Sequence, residues 1–421
     1  MSTAVDHLQL LPDAEPDLSV LGSVTRVSDD AFEIMESILW GRLKAMRNRM
    51  QRLLSQSRGN AILTAAADVY NGLSPVHRAR VLVSSEFCEC YSMIHVDPRF
   101  AAAHARSSDD DQVLFQIRLY DIVSREKALA DLEAGNVGAY LRQMKTDRVY
   151  SPLGDKVAVR GDFGHWEVQR APSIGEVVTV DFDSPVARNY EARSGILSQR
   201  CLDFTPEEKE VVVEKLQTAL EQIDAVEPAY GFLIRNFVRR IIVRKSIESL
   251  DGPEEFDRVF GSEHVPRQPG SFRMLNTHLP DMTADACMES IMHESTHNFL
   301  AAWELANGPF VMHNQKDRPV SPWSGNGIPN SSFIHAAFIY FICHRMYVRH
   351  MASVDPSESS RLAYLQKRLA KFVAGYLIPH HVCDQLVLPS PLPDALREII
   401  GSFQQEIKAT YTKRAAEEGT P

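Results

Sequence analysis

The segment TADACMESIMHESTHNFLAAWELA, residues 283–306, constrains this chain more than any other. Its ends carry helix signals: Thr283 can cap the start, and Asn307-Gly308 followed by Pro309 can end it. Most of its surface is apolar, so such a helix belongs in a core. Two imidazoles in that setting, His293 and His297, need partners, because an unpaired polar ring is costly to bury. They stand about 6 Å apart along the axis and about 40° around it. Both can therefore reach one cation at about 2.1 Å. Glu294 is turned about 100° from His293, so it flanks such an ion rather than binding it. In zinc peptidases a glutamate so placed is the general base for a metal-bound water.

A third ligand is required. The stretch NFLAAWELA after His297 lacks the Gly and His of the extended metzincin pattern. Glu304 lies on a suitable face but about 10.5 Å up the axis, too far to fold back. Glu289 has the same difficulty from the other end and suits a supporting role. The later candidates are His313, Asp317, His335 and His344. The segment PNSSFIHAAFIYFICHRMY reads as an apolar helix capped by Asn330 or Ser331, with His335 in its first or second turn. His344 is nine residues further on, half a turn out of phase. His335 is therefore the expected third ligand, giving His293, His297 and His335 as the metal set.

The rest of the chain sorts into regions. Residues 1–28 read as a flexible tail rich in Asp, Pro and Ser. Residues 29–147 read as helical, with Phe32, Met35, Ile38, Leu39 and Leu43 at helical spacing. At 148–200 the texture changes to a small β-rich insertion, where DKVAVRGDFGHWEVQR and GEVVTVDF suggest an antiparallel sheet over 148–185. Residues 201–412 form the helical metal-binding region and 413–421 a second tail. Within that region Thr205 and Glu208 make a capping box, GFLIRNFVRRIIVRKSI fits either helix or strand, and GSFRMLNTHL predicts a short strand beside the site. The expected fold class is α+β and predominantly helical: a metal site on a long helix, a second ligand-bearing helix, and a small antiparallel sheet.

Charge and cysteines narrow the partners. With 55 acidic against 45 basic residues the formal charge is −10, which argues against a nucleic-acid binder. No apolar run reaches the length of a membrane span, and the first residues lack the basic start and apolar run of a secretory leader. Six dispersed cysteines without a CxxC pair point to reduced thiols and a cytoplasmic setting. Nothing in the sequence reports oligomeric state.

From residue 270 onward the order of motifs is distinctive: the strand SFRMLN, then ACMESIMHESTHNFL, then SPW at 321–323, then FIHAAFIYF at 333–341. Over about residues 270–345 this resembles the HExxH-motif peptide-modification proteins of bacterial natural-product clusters, regarded as iron- and 2-oxoglutarate-dependent peptide β-hydroxylases. The resemblance falls on His293, Glu294 and His297, on Ser321-Pro322-Trp323, and on His335. It implies a dioxygenase holding Fe(II) on three histidines, with 2-oxoglutarate as cosubstrate. Its substrate would be a ribosomally made precursor peptide bound through a leader segment. Ser321 and Trp323 become candidate walls of the substrate pocket. The family pattern carries basic residues after SPW, where this chain has Ser324 and Ile328. An arginine for the 2-oxoglutarate carboxylate must then come from elsewhere, and Arg318 and Arg273 are the substitutes. The alternative is a zinc peptidase in which the same ligands hold Zn(II) and Glu294 is the base. A catalytically inactive peptide-binding scaffold is a third class, against which the intact HExxH stands.

Overall fold

A computed structural model describes residues 16–55, 59–94, 109–188, 201–249, 260–311, 318–388 and 391–418. It is α+β and predominantly helical, as expected. The N-terminal part runs through α1 (Ser19–Arg26), α2 (Ala31–Ser55), α3 (Ala61–Asn71), α4 (Pro75–Val83), α5 (Ser85–Ile94), α6 (Asp109–Glu133) and α7 (Ala139–Gln143). A three-stranded antiparallel sheet follows, in the order β1 (Arg148–Tyr150), β2 (Lys156–Arg160) and β3 (Trp166–Arg170).

The second sheet was not foreseen. Strands β4 (Ser173–Ile174) and β5 (Val178–Asp181) leave the antiparallel unit and join β6 (Arg240–Arg244), β7 (Gly261–His264) and β8 (Ser271–Leu275). The order is β4-β5-β6-β8-β7, with β5, β6 and β8 parallel and β4 and β7 antiparallel at the edges. The antiparallel sheet expected over 148–185 therefore ends at Arg170. The central strands are buried on both faces, which is why RIIVR shows no alternation to read.

Helices α8 (Pro185–Arg188), α9 (Pro206–Val226) and α10 (Pro228–Phe237) separate β5 from β6. The capping box of Thr205 and Glu208 starts α9 as predicted. The ambiguous stretch 231–247 is both things in turn: α10 ends at Phe237 and β6 begins three residues later. After β8 come α11 (Ala284–Asn307), α12 (Asn330–Ser353), α13 (Ser359–Ala374) and α14 (Asp394–Glu418). Asn276, at φ +57°, turns the chain out of β8; its side-chain oxygen accepts from the Ser246 amide at 2.7 Å.

One large apolar core holds the mixed sheet and helices α9 to α14. It also takes in α1, whose Leu21 and Val24 are buried, so the expected N-terminal tail is shorter than 1–28. Residues 1–15 lie outside the described residues. At the other end α14 runs to Glu418, into the expected tail 413–421. A second core joins α2 to α6, and a third lies under the three-stranded sheet. Among the described residues, no helix is long and apolar enough to cross a membrane.

Candidate metal centre

Helix α11 is built as the sequence suggests. The Thr283 hydroxyl accepts from the Ala286 amide, and Gly308 ends the helix at φ +100°. Its middle is almost wholly buried against α2, α9, α10 and α12. Asn298 fixes its position on the sheet: its amide donates to the Ser271 carbonyl and to the Glu294 carbonyl, and its oxygen accepts from the Gly270 amide. A polar side chain in an apolar helix thus joins helix to β8 with its hydrogen bonds made.

On this helix one donor atom from each of His293, Glu294 and His297 lies within 4.8 Å of the others. The carboxylate expected to flank the ion is therefore inside the cluster. Edge strand β7 supplies two residues the sequence reading missed. Alternation along a strand puts Ser262 and His264 on one face. The Ser262 hydroxyl donates to Glu294 Oε1 at 2.7 Å. The His264 ring stacks on His297, with centroids 4.9 Å apart and planes 6° from parallel.

His335, on α12, comes alongside His297. The two Nδ1 atoms are 3.0 Å apart, and the other ring nitrogen of His335 lies 3.3 Å from the Glu304 carboxylate. Glu304, judged too far along α11 to reach an ion, supports His335 instead. A 3.0 Å separation of two ring nitrogens suits a proton shared between them or a cation held by both. Carboxylate, histidine and metal in line is a recurrent arrangement in metal sites.

Burial favours the neutral form of His293 and His297, the state that binds metal. Burial lowers His293 to about 4, helped by the nearby charges of Lys371 and Arg368. His297 is held well below the ordinary value by burial and by the rings of His264, His335 and His293. Burial raises Glu294 to about 8, against the pull of the Ser262 hydrogen bond. Its Oε2 is buried and has no hydrogen-bond partner among the described residues.

His293 and Glu294 line a cleft of about 530 Å³. Its other walls include Tyr340 on α12 and Tyr364, Lys367, Arg368 and Lys371 on α13. The expected walls are elsewhere. Trp323 stacks behind Tyr340 at 5.0 Å and donates from its indole nitrogen to the Phe372 carbonyl. Tyr340 in turn meets His293 edge-on at 5.9 Å, so Trp323 stands one ring removed from the cleft. Ser321 closes a turn, accepting the Gly325 amide on its carbonyl.

The two substitute arginines also miss the cleft. Arg318 is exposed. Arg273 is buried on β8 and faces Glu263, which alternation turns away from Ser262 and His264. Among the remaining candidates, His344 points to Tyr411 on α14, as its phase requires, and His313 and Asp317 lie outside the described residues. The polarity of GSEH gives β7 no readable pattern, and only its pairing with β8 brings Ser262 and His264 to the site. Neither a protein-family model nor a curated protein matches this chain.

Proposed function

We propose that this chain is a metal-dependent enzyme: an Fe(II)/2-oxoglutarate-dependent oxygenase that hydroxylates a side-chain carbon, at the β position, of a ribosomally made peptide. The observation that carries the metal is the cluster of His293, Glu294 and His297, the first two of which line a cleft, with His335 3.0 Å from His297. The order of HExxH, SPW and His335 along the chain supports the oxidative chemistry.

The donor set fits a borderline divalent ion, since neutral imidazole suits iron and zinc alike. Two nitrogens about 2.1 Å from one ion and at right angles to each other lie about 3.0 Å apart. The His297–His335 separation matches that figure. The chemistry that iron and 2-oxoglutarate supply together is oxidation of an unactivated C–H bond by O2. The chain's own work is positional. His293, His297 and His335 hold the ion, Glu304 orients His335, and Ser262 fixes one oxygen of Glu294.

Zinc-dependent peptide hydrolysis is the second reading. The observation on its side is Glu294 itself, a cleft-lining residue of the cluster whose buried Oε2 has no hydrogen-bond partner among the described residues. Turnover separates the two. Protein reconstituted with Fe(II) under controlled oxygen is expected to convert 2-oxoglutarate to succinate, and to do so faster with a peptide substrate. Peptide cleavage restored by Zn(II) alone, with no succinate formed, would replace the oxygenase with the peptidase. Glu294→Gln is expected to leave 2-oxoglutarate turnover measurable, whereas it would abolish hydrolysis.

A further inference from the structure

Several polar groups in the lining of the cleft already have partners. Ser262 donates to Glu294, Glu289 is gripped by Arg368, and Tyr364 is hydrogen-bonded to Tyr347. Tyr340 differs from these. The residue is nine-tenths buried, at 9% exposure, yet its hydroxyl has no hydrogen-bond partner among the described residues. Nor is that oxygen sealed from solvent, so it opens into the cleft that Tyr340 lines.

The ring that carries the hydroxyl is clamped. Trp323 stacks on it 5.0 Å away and 19° from parallel, and Phe372 of α13 stands 6.0 Å off. Trp323 is tied in turn by its indole N–H to the Phe372 carbonyl. The same tyrosine ring meets His293 edge-on at 5.9 Å. Packing on this scale holds a side chain with two torsions in one rotamer, so the hydroxyl is placed before a ligand arrives. Packing alone would be served as well by phenylalanine, and a buried tyrosine hydroxyl ordinarily finds a partner. A phenol keeps its proton at neutral pH and so meets a ligand as a donor. Whatever fills the cleft must set an acceptor against this O–H or leave it bare.

We propose that the Tyr340 hydroxyl donates a hydrogen bond to a carbonyl or carboxylate oxygen of the ligand bound beside His293, and so selects ligands with an oxygen acceptor at that point. 2-Oxoglutarate offers such an oxygen, and so does a peptide carbonyl. The identity of the ligand rests on the metal-enzyme reading; the donor in the cleft does not.

The test is Tyr340→Phe, which keeps the ring against Trp323 and removes one oxygen. Its melting temperature and metal content per chain are expected to match the parent. Both proteins, metal-free and loaded with Zn(II), are titrated calorimetrically with 2-oxoglutarate and with acetyl-trialanine amide. At least one probe should bind the variant about five- to tenfold more weakly, the worth of one hydrogen bond. Weakening confined to 2-oxoglutarate assigns the oxygen to a cosubstrate, and weakening confined to the tripeptide assigns it to a substrate backbone. Unchanged affinity for both probes, or binding of neither by the folded parent, overturns the proposal. A lower melting temperature with unchanged affinities also overturns it, by making the hydroxyl structural. Weaker binding by the variant of a protein that takes up no metal, or that forms no succinate, would instead overturn the metal-oxygenase reading and leave this contact standing.

Discussion

The residue that reports most on the site is Glu294. It is buried, keeps one oxygen on the Ser262 hydroxyl, and is raised to about 8. Removing that hydroxyl takes away a bond to the charged form, so the carboxyl should rise further. Ser262→Ala is thus expected to move the acid limb of the activity profile to higher pH, with metal content unchanged. A profile that stays in place would show that Ser262 acts only in packing. His293, Glu294 and His297 were legible in the sequence because one helical turn sets their relation locally. Ser262 and His264 were not, because they reach the site through strand pairing with β8. Arg318 and Arg273 were chosen for closeness along the chain. Neither lines the cleft; Arg273 lies instead against Glu263.

At the scale of elements, helices announce themselves by their caps, and α9 and α11 begin where Thr205 and Thr283 predict. The mixed sheet is harder to see, because its strands β5, β6 and β8 are far apart in sequence and join in parallel. Two contacts seat the helices around the centre. Gly375, just past α13, lies against the indole of Trp323; a Cβ there would come within 2.3 Å of the ring. Gly375→Ala should therefore destabilise by about 1–3 kcal/mol, as overpacking does, and a denaturant titration will show it as a lower midpoint. The second contact is Asp285 at the start of α11, which accepts from Arg361 of α13 and meets His350 of α12 at 2.8 Å. Those partners hold Asp285 at about 2, below its ordinary value of 3.8. Its stabilisation is therefore complete above pH 3.8 and lost as the pH falls through 2. Asp285→Asn should cost about 1–2 kcal/mol at neutral pH after allowance for solvent screening. The gap between parent and variant should close between those two pH values in acid-unfolding curves.

Across the whole molecule, a buried ion network joins the N-terminal helices to the mixed sheet. Arg240 of β6 donates from Nη1 to Glu86 of α5 at 3.3 Å and from Nε to the Leu153 carbonyl at 3.0 Å, and lies 3.7 Å from Asp181 of β5. Arg125 of α6 also grips Glu86. Gly154, at φ +77°, makes room for the Arg240 guanidinium, which any Cβ there would strike at 2.2 Å. Arg240→Met leaves the buried Asp181 without its cation and Glu86 with Arg125 alone, and should cost about 3 kcal/mol by thermal or chemical unfolding. A near-neutral result would mean that the network is dispensable to the joint. The central claim is that α11 and α12 together hold one divalent ion in each chain. It is tested most directly by elemental analysis and metal titration of the parent, His335→Ala and His293→Ala/His297→Ala, with circular dichroism to verify folding. The account predicts one equivalent of metal in the parent, affinity reduced at least about tenfold in His335→Ala, and none held by the folded double variant. A folded parent that takes up no metal, or a double variant that keeps its full equivalent, would contradict it.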